Sequence, residues 1–309
     1  MVDILVAVIL DLLIGDPNWM PHPVRLMGRI IAWEERVSRK ITGSPTGLKT
    51  AGLLMVILNI LIAAAVPIIL LKALDGLPIV QRIAGIYLVY TCIAARNLRD
   101  EALKVSSELD RSLEDGRKRL SYIVGRDTRN LSQEEVVRAT VETVSENTSD
   151  GVIAPLLYIM IFGIPGGMVY KFVNTMDSMV GYKDEKYGEL GYFPAKTDDL
   201  LNLVPSRLTA LLMIISAPFG SDRRKAFQIV RRDGRNHRSP NSGYPESAAA
   251  GLLSVQLGGS NSYNGKVVHK PKLGDPDEVL RQGHIEDSIR LMFGAELLLV
   301  LIFLVVNLF

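Results

Sequence analysis

The stretch Ala51-Gly-Leu-Leu-Met-Val-Ile-Leu-Asn-Ile-Leu-Ile-Ala-Ala-Ala-Val-Pro-Ile-Ile-Leu-Leu71 decides the class of fold. It carries no charge over its whole length. As a helix it would cross a hydrocarbon core of about 30 Å. Outward from it the same pattern recurs. Leu291 to Phe309 is a second apolar run, broken only by Glu296, which is read as snorkelling to the interface. Segments 79–95, 152–172, the short 203–219 and the N-terminal 2–14 are weaker. The 2–14 segment holds Asp3 and Asp11 and lacks a basic start or a small-residue cleavage site, so it does not read as a removed signal peptide.

The chain has 309 residues and a mean hydropathy of +0.21, although 22% of its residues are charged. The two facts agree if apolar residues are concentrated in spans and charges in large loops. The expected fold is all-α: one polytopic helical membrane domain over 1–309, with broken or re-entrant helices and large helical cytoplasmic loops. Loop 15–49 is basic and the turn at 72–78 is nearly neutral, which places 15–49 and 96–151 on the cytoplasmic side. A net charge of +2, with basic residues scattered through loops and 6% aromatics, gives no nucleic-acid stripe. The one cysteine, Cys92, excludes a disulfide framework. No Walker A motif, Gly-rich dinucleotide fingerprint or Gly-x-Ser-x-Gly elbow is present, and the four histidines are too scattered for a zinc site.

What remains is oxygen chemistry. In Ala139-Thr-Val-Glu-Thr-Val-Ser-Glu-Asn-Thr-Ser-Asp-Gly151, Glu142, Glu146 and Asp150 recur at steps of four and would share one helical face. Ser132 and Glu135 form a capping box that starts this helix, and Val137, Val141 and Val144 make the opposite face. Two readings stand: a site open to a cation or ligand, or a solvated acidic face with Arg138 as a simple helix partner. Elsewhere, Asn174, Asp177 and Gly181 fall on one face, and Asp198-Asp199 precedes Asn202 and Arg207. The prolines of 15–29 forbid a regular helix there, leaving Asp16, His22 and Arg25 as its polar groups. Arg126 and Asp127 follow Gly125, and 231–246 reads as a loop rich in arginine. Gly258-Gly259 reads as a turn. Carboxylates and amides beside basic loops suit magnesium with bound phosphates.

The blocks together resemble the adenosylcobinamide-phosphate synthase family of cobalamin biosynthesis. The resemblance rests on Gly15-Asp-Pro with His22-Pro-Val, Val124-Gly-Arg-Asp-Thr128, Thr140 to Pro155 and Asn174-Thr-Met-Asp-Ser-Met-Val-Gly-Tyr-Lys183. It continues through Asp198-Asp-Leu-Leu-Asn202, Pro205-Ser-Arg-Leu-Thr209, Arg232-Asp233, His237 and Ser239-Pro-Asn-Ser-Gly243. It runs from residue 3 to about 290, departing at Ser145 and Ser206, where alanine is commoner. The resemblance implies a multi-pass enzyme of the cell membrane. Such an enzyme joins 1-amino-2-propanol, or its O-phosphate, to a propionate carboxylate of adenosylcobyric acid, using ATP and Mg2+. The implied partners are the corrinoid, the amino alcohol, the lipid bilayer and other membrane enzymes of the pathway, with no nucleic acid.

On that resemblance Glu142, Glu146, Asp150, Asp177 and Lys183 are candidate catalytic residues. Glu146, Asp150, Asp198 and Asp199 are candidate metal ligands. Asp16, His22, Arg126, Asp127, Asn147, Asn174, Arg207, Arg232, His237, Asn241 and Glu246 are candidate substrate-binding residues. If these blocks meet on one side, the chain must reverse at Gly163 to Gly167, and 208–219 must dip and return. A transporter or a non-enzymatic membrane sensor of the same fold are the rival readings.

Overall fold

The computed structural model describes residues 2–308 except Asn18, Lys183 and Asn264. In chain order its helices are α1 (Val2–Ile14), α2 (Pro23–Ile41), α3 (Pro45–Ala73), α4 (Pro78–Tyr90), α5 (Ala95–Arg111), α6 (Leu113–Leu120) and α7 (Gln133–Asn147). A π-helical turn, Thr148–Ile153, leads into α8 (Ala154–Val180), α9 (Tyr192–Leu201), α10 (Leu203–Ser216), α11 (Arg223–Asp233) and α12 (Gly243–Leu253). Strands β1 (Leu257–Tyr263) and β2 (Lys266–Leu273) precede α13 (Gly283–Val306). Four helical stretches are long and apolar enough to cross a bilayer: Pro45–Ala73, Pro78–Arg111, Gln133–Val180 and Gly283–Val306. A fifth is added if Tyr192–Leu201 and Leu203–Ser216 make one broken span. The protein is a helical membrane protein. The N-terminal segment forms α1, whose 13 residues make a rod of about 20 Å, short of a span.

The chain divides into two compact units, Met1–Ala94 with Ala154–Asn202, and Ala95–Ile153 with Leu203–Phe309. In the first, α2, α3 and α4 each begin at a proline, whose fixed φ suits the first helical turn and whose missing N–H costs nothing there. Asn59, in the middle of the α3 span, donates to Glu34 Oε2 at 2.8 Å, so the polar group in that apolar run has a buried partner.

The first unit also contains the reversal expected at 163–167. Gly163 has φ 68° and ψ −166°, a region open essentially only to glycine. Tyr158 and Tyr170, either side of it, stack with ring centroids 5.2 Å apart. In a straight helix twelve residues advance about 18 Å. A Cβ on Gly166 would lie 2.7 Å from the Tyr158 carbonyl oxygen, and one on Gly167 would lie 2.3 Å from Ile159 Cγ1. The two halves of α8 therefore fold against one another, and small residues permit the approach.

In the second unit α11 packs on α12, with a Cβ at Gly251 only 2.6 Å from Ala226 Cα. Arg207, at the start of α10, meets Pro240 and Asn241 beyond α11. The 207 and 240 blocks are thus brought together. Four expectations are corrected. The prolines do not keep all of 15–29 from helix: Pro23 starts α2 behind its N-cap His22, so 23–29 are helical. Residues 257–273 form an antiparallel hairpin, and Gly258-Gly259 is no turn but the site of a register shift within β1. A Cβ at Gly258, φ 79°, would strike the Pro271 carbonyl at 2.1 Å. Glu296 does not snorkel; it is buried in α13, at 2% exposure. Loop 231–246 is shorter than expected, because α11 runs to Asp233 and α12 starts at Gly243.

A Cβ at Gly163 meets nothing nearer than Pro165 Cδ at 3.8 Å, so Gly163→Ala acts through backbone strain alone. It should cost about 1–3 kcal/mol, read as a lowered Tm in detergent. Gly76→Ala, where a Cβ meets nothing within 4 Å, should leave Tm unchanged. Equal Tm values for both variants would contradict the reversal.

Candidate active site

Helix α7 opens with the expected capping box: Ser132 Oγ accepts from Glu135 N–H at 3.2 Å, and Glu135 Oε2 accepts from Ser132 N–H at 2.8 Å. Its acidic side is not a solvated face. Glu142 is 2% exposed, and Thr140 and Ser145 beside it are buried too. The Glu142 carboxylate is held from two directions. Arg126 Nη2 donates to Oε2 at 2.6 Å, and the Gly258 N–H donates to Oε1 at 2.8 Å. Arg126 Nη1 reaches on to Asn261 Oδ1 at 2.8 Å, so one guanidinium ties the 121–132 loop, α7 and the hairpin together.

One turn on, Glu146 Oε1 accepts from Ser242 Oγ at 2.7 Å. The loop behind Ser242 is folded by Ser239, whose Oγ accepts from the N–H groups of Asn241 and Ser242. The Ser239 N–H donates to His237 Nδ1 at 3.1 Å, so the ring proton belongs on Nε2. His237 Nε2 lies 4.0 Å from Glu246 Oε1 and has no hydrogen-bond partner among the described residues. Glu246 is fully enclosed. Burial pushes its carboxyl well above the usual range, and the charges of Glu142 and Glu146 push it further. Burial also lowers His237, with the Lys270 charge adding to that and the two glutamates opposing it.

Glu142, Glu146, Glu246, His237 and Arg126 thus converge within the second unit. Asp150 sits in the π-helical turn, which breaks the four-residue stacking between 146 and 150. Asn147 donates to the Thr143 carbonyl in its own helix. Arg207 binds Asn241 and Pro240 and stacks on Tyr244 at 3.9 Å. Arg232 grips both oxygens of Asp233 and reaches Asp275, which holds its own pKa up and Asp233 down. Asp127 accepts from Ser262 Oγ and the Gly265 N–H and pins the hairpin. Arg207, Arg232 and Asp127 therefore act first as structural ties.

In the first unit, Asp198 accepts from Asn174 at 3.2 Å and Asn202 at 3.0 Å, and Tyr170 donates to Asn202. Asp199, the next residue on α9, pairs with Lys196 at 3.6 Å. The Asp177 carboxylate lies against Gly181. His22 caps α2 through Nδ1 and faces Asp16 with Nε2 at 3.3 Å. Lys183 lies outside the described residues. Among the described residues no group of three or more His, Cys, Asp or Glu side chains is placed to hold a metal ion by itself. Asn261, Ser242 and Lys270 were not singled out from the sequence. Their polar groups are ordinary for a loop; the hairpin brings Asn261 and Lys270 to the cluster, and the folded 239–242 loop brings Ser242 to Glu146.

A family model for CobD/Cbib protein matches residues 4–292. The chain belongs to this family. It is 46% identical over 305 residues to a "Cobalamin biosynthesis protein CobD" of Clostridium tetani, covering 98% of this chain and 96% of that one. The relative of that name in Geobacter metallireducens is 50% identical, covering 97% and 94%, and one in Klebsiella pneumoniae is 41% identical, covering 97% and 95%. No solved structure matches. The family match covers every residue of the acid cluster.

A carboxyl whose pKa is raised on folding contributes stability that is complete below its unfolded value and is lost as pH rises through the folded one. Glu246→Gln should therefore gain Tm relative to the unsubstituted protein as pH rises above the ordinary carboxyl value near 4.5. A Tm difference independent of pH would show that Glu246 is not held protonated.

Proposed function

We propose that this chain acts in cobalamin biosynthesis, as the names of its relatives say of them, and that it is an enzyme forming an amide at the expense of ATP. The substrates would be adenosylcobyric acid and 1-amino-2-propanol or its O-phosphate. The observation that carries the reading is the gathering of Glu142, Glu146 and Glu246 around His237 and Arg126. A carboxylate is a poor electrophile. One oxygen of the propionate would attack the γ-phosphorus of ATP, releasing ADP and leaving an acyl phosphate. The amine would then attack the acyl carbon, phosphate would leave, and the amine proton would pass to a carboxylate of the cluster.

Glu146 is the preferred base, since Glu142 already serves Arg126 and the Gly258 N–H. Glu246, kept protonated by burial, would hold or donate a proton. His237 Nε2–H would donate to a substrate carboxylate or amide oxygen. A magnesium ion shared with nucleotide phosphates rather than caged by protein would need only one or two carboxylates. Asp150, in the π-helical turn, would supply one, and Glu146 would hold the ion only in a state in which it is not the base. Bound there, magnesium would neutralise phosphate charge. The Asn174–Asp198–Asn202 network, whose partners are satisfied, would orient substrate rather than react. Segments 15–49 and 96–151 would face the cytoplasm, on the basic character of 15–49. The reversal at Gly163 is a feature that a transporter would share. Turnover of ATP only when corrinoid and amine are both present separates the two.

Glu146→Ala should lower ATP-dependent amide formation by roughly 100-fold or more, while Glu134→Gln, at an exposed position in the first turn of the same helix, should keep most of it. Product followed by chromatography in reconstituted membranes gives the rates. Full activity of Glu146→Ala would remove the proposed centre.

A further inference from the structure

Beside the acid cluster, on the other side of Arg126, the second unit contains a cavity of about 680 Å³. That is within the range of small-molecule sites. Arg117 and Lys118 of α6 and Arg126, Asp127, Thr128 and Arg129 of the following loop line it, with Glu114 at the edge. Four cations thus face two acids. Some of the basic charge has a structural use. Cations in the last turn of α6 suit the helix dipole, Arg117 Nε donates to the Leu131 carbonyl at 2.6 Å, and Arg126 is engaged by Glu142. Asp127 is engaged too, by the hairpin. Lys118 and Arg129 are different. Both are exposed on the cavity, and among the described residues neither has a carboxylate within 4.0 Å. Arg129 lies outside any helix, so the dipole does not explain it.

We propose that this cavity binds the phosphate groups of a nucleotide triphosphate, with Lys118 and Arg129 as the cations that meet them. Arg126 is the shared wall. Its guanidinium lies on the cavity and touches Glu142, so phosphates bound there adjoin the carboxylate cluster. The phosphate chemistry itself stands independently of the amide-forming reading; only the choice of ATP as the nucleotide rests on it. An anionic lipid headgroup carries the same chemistry, and the test separates the two sources.

The full chain is purified in neutral detergent and in nanodiscs of phosphatidylcholine with and without phosphatidylglycerol, and labelled ATP binding is titrated with magnesium present. Lys118→Glu and Arg129→Glu should each weaken ATP binding roughly tenfold or more, and inorganic tripolyphosphate should compete. Arg224→Glu, an exposed basic residue on α11, should change nothing. Unchanged Tm values for all three variants check folding. ATP affinity unaltered in the Lys118→Glu/Arg129→Glu double variant overturns the proposal. So does charge-dependent capture of phosphatidylglycerol with no ATP binding, which would assign the cavity to lipid. If the double variant forms amide at the normal rate, the cavity assignment fails while the reaction stands. If ATP binding depends on Lys118 and Arg129 but no amide forms, the reaction fails while the cavity stands.

Discussion

The carboxylate of Glu142, buried and held by a guanidinium and a backbone N–H, is the contact on which the second unit depends. It joins residue 142 to 126, 16 positions before it, and to 258, 116 positions after it. Burying an ion is costly unless every lone pair and N–H nearby finds a partner. Here the carboxylate has Arg126 and the Gly258 N–H as partners, with Arg138 Nε at 3.7 Å. Without Arg126, Glu142 would keep only the Gly258 N–H and Arg138, and Asn261 Oδ1 only the 3.4 Å bond from Arg138 Nη2. A carboxylate held in this way is fixed in place. On the proposed reading its neighbours Glu146 and Glu246 deal with protons and cations.

Proximity does the remaining work. Glu246 is enclosed beside two other glutamates, so its neutral form is favoured, and His237 is kept from charging by the same burial. Burial thus favours the uncharged form of both groups. The basic cavity on the far side of Arg126 adds the complementary half. On the proposed reading its cations would meet negative ligands, with Arg126 between them and the carboxylates.

Much of this was legible in the sequence. The uncharged run at 51–71, the capping box at Ser132 and the glycine break at 163 each follow from a local rule, and each appears where the rule puts it. The identity of the acids was legible too, because carboxylates at steps of four are conspicuous. Their surroundings were not. Glu142 resembled a surface acid until the hairpin covered it. The hairpin escaped notice because Leu257 to Tyr263 is rich in glycine and serine, with little strand propensity. The dipeptide Asn264-Gly265 ahead of Lys266-Val-Val268 was its one signal. The roles of Arg207, Arg232 and Asp127 as ties could not be read either, since an arginine in a loop looks the same whether it awaits a phosphate or already holds a carboxylate.

Infrared difference spectroscopy on the full chain in detergent at neutral pH tests the buried acid cluster most directly. The unsubstituted protein minus Glu246→Gln should show the carbonyl band of a protonated carboxylic acid in a dry environment. A difference spectrum with only ionised carboxylate bands would mean that Glu246 is charged and solvated, and the cluster as described here would not exist.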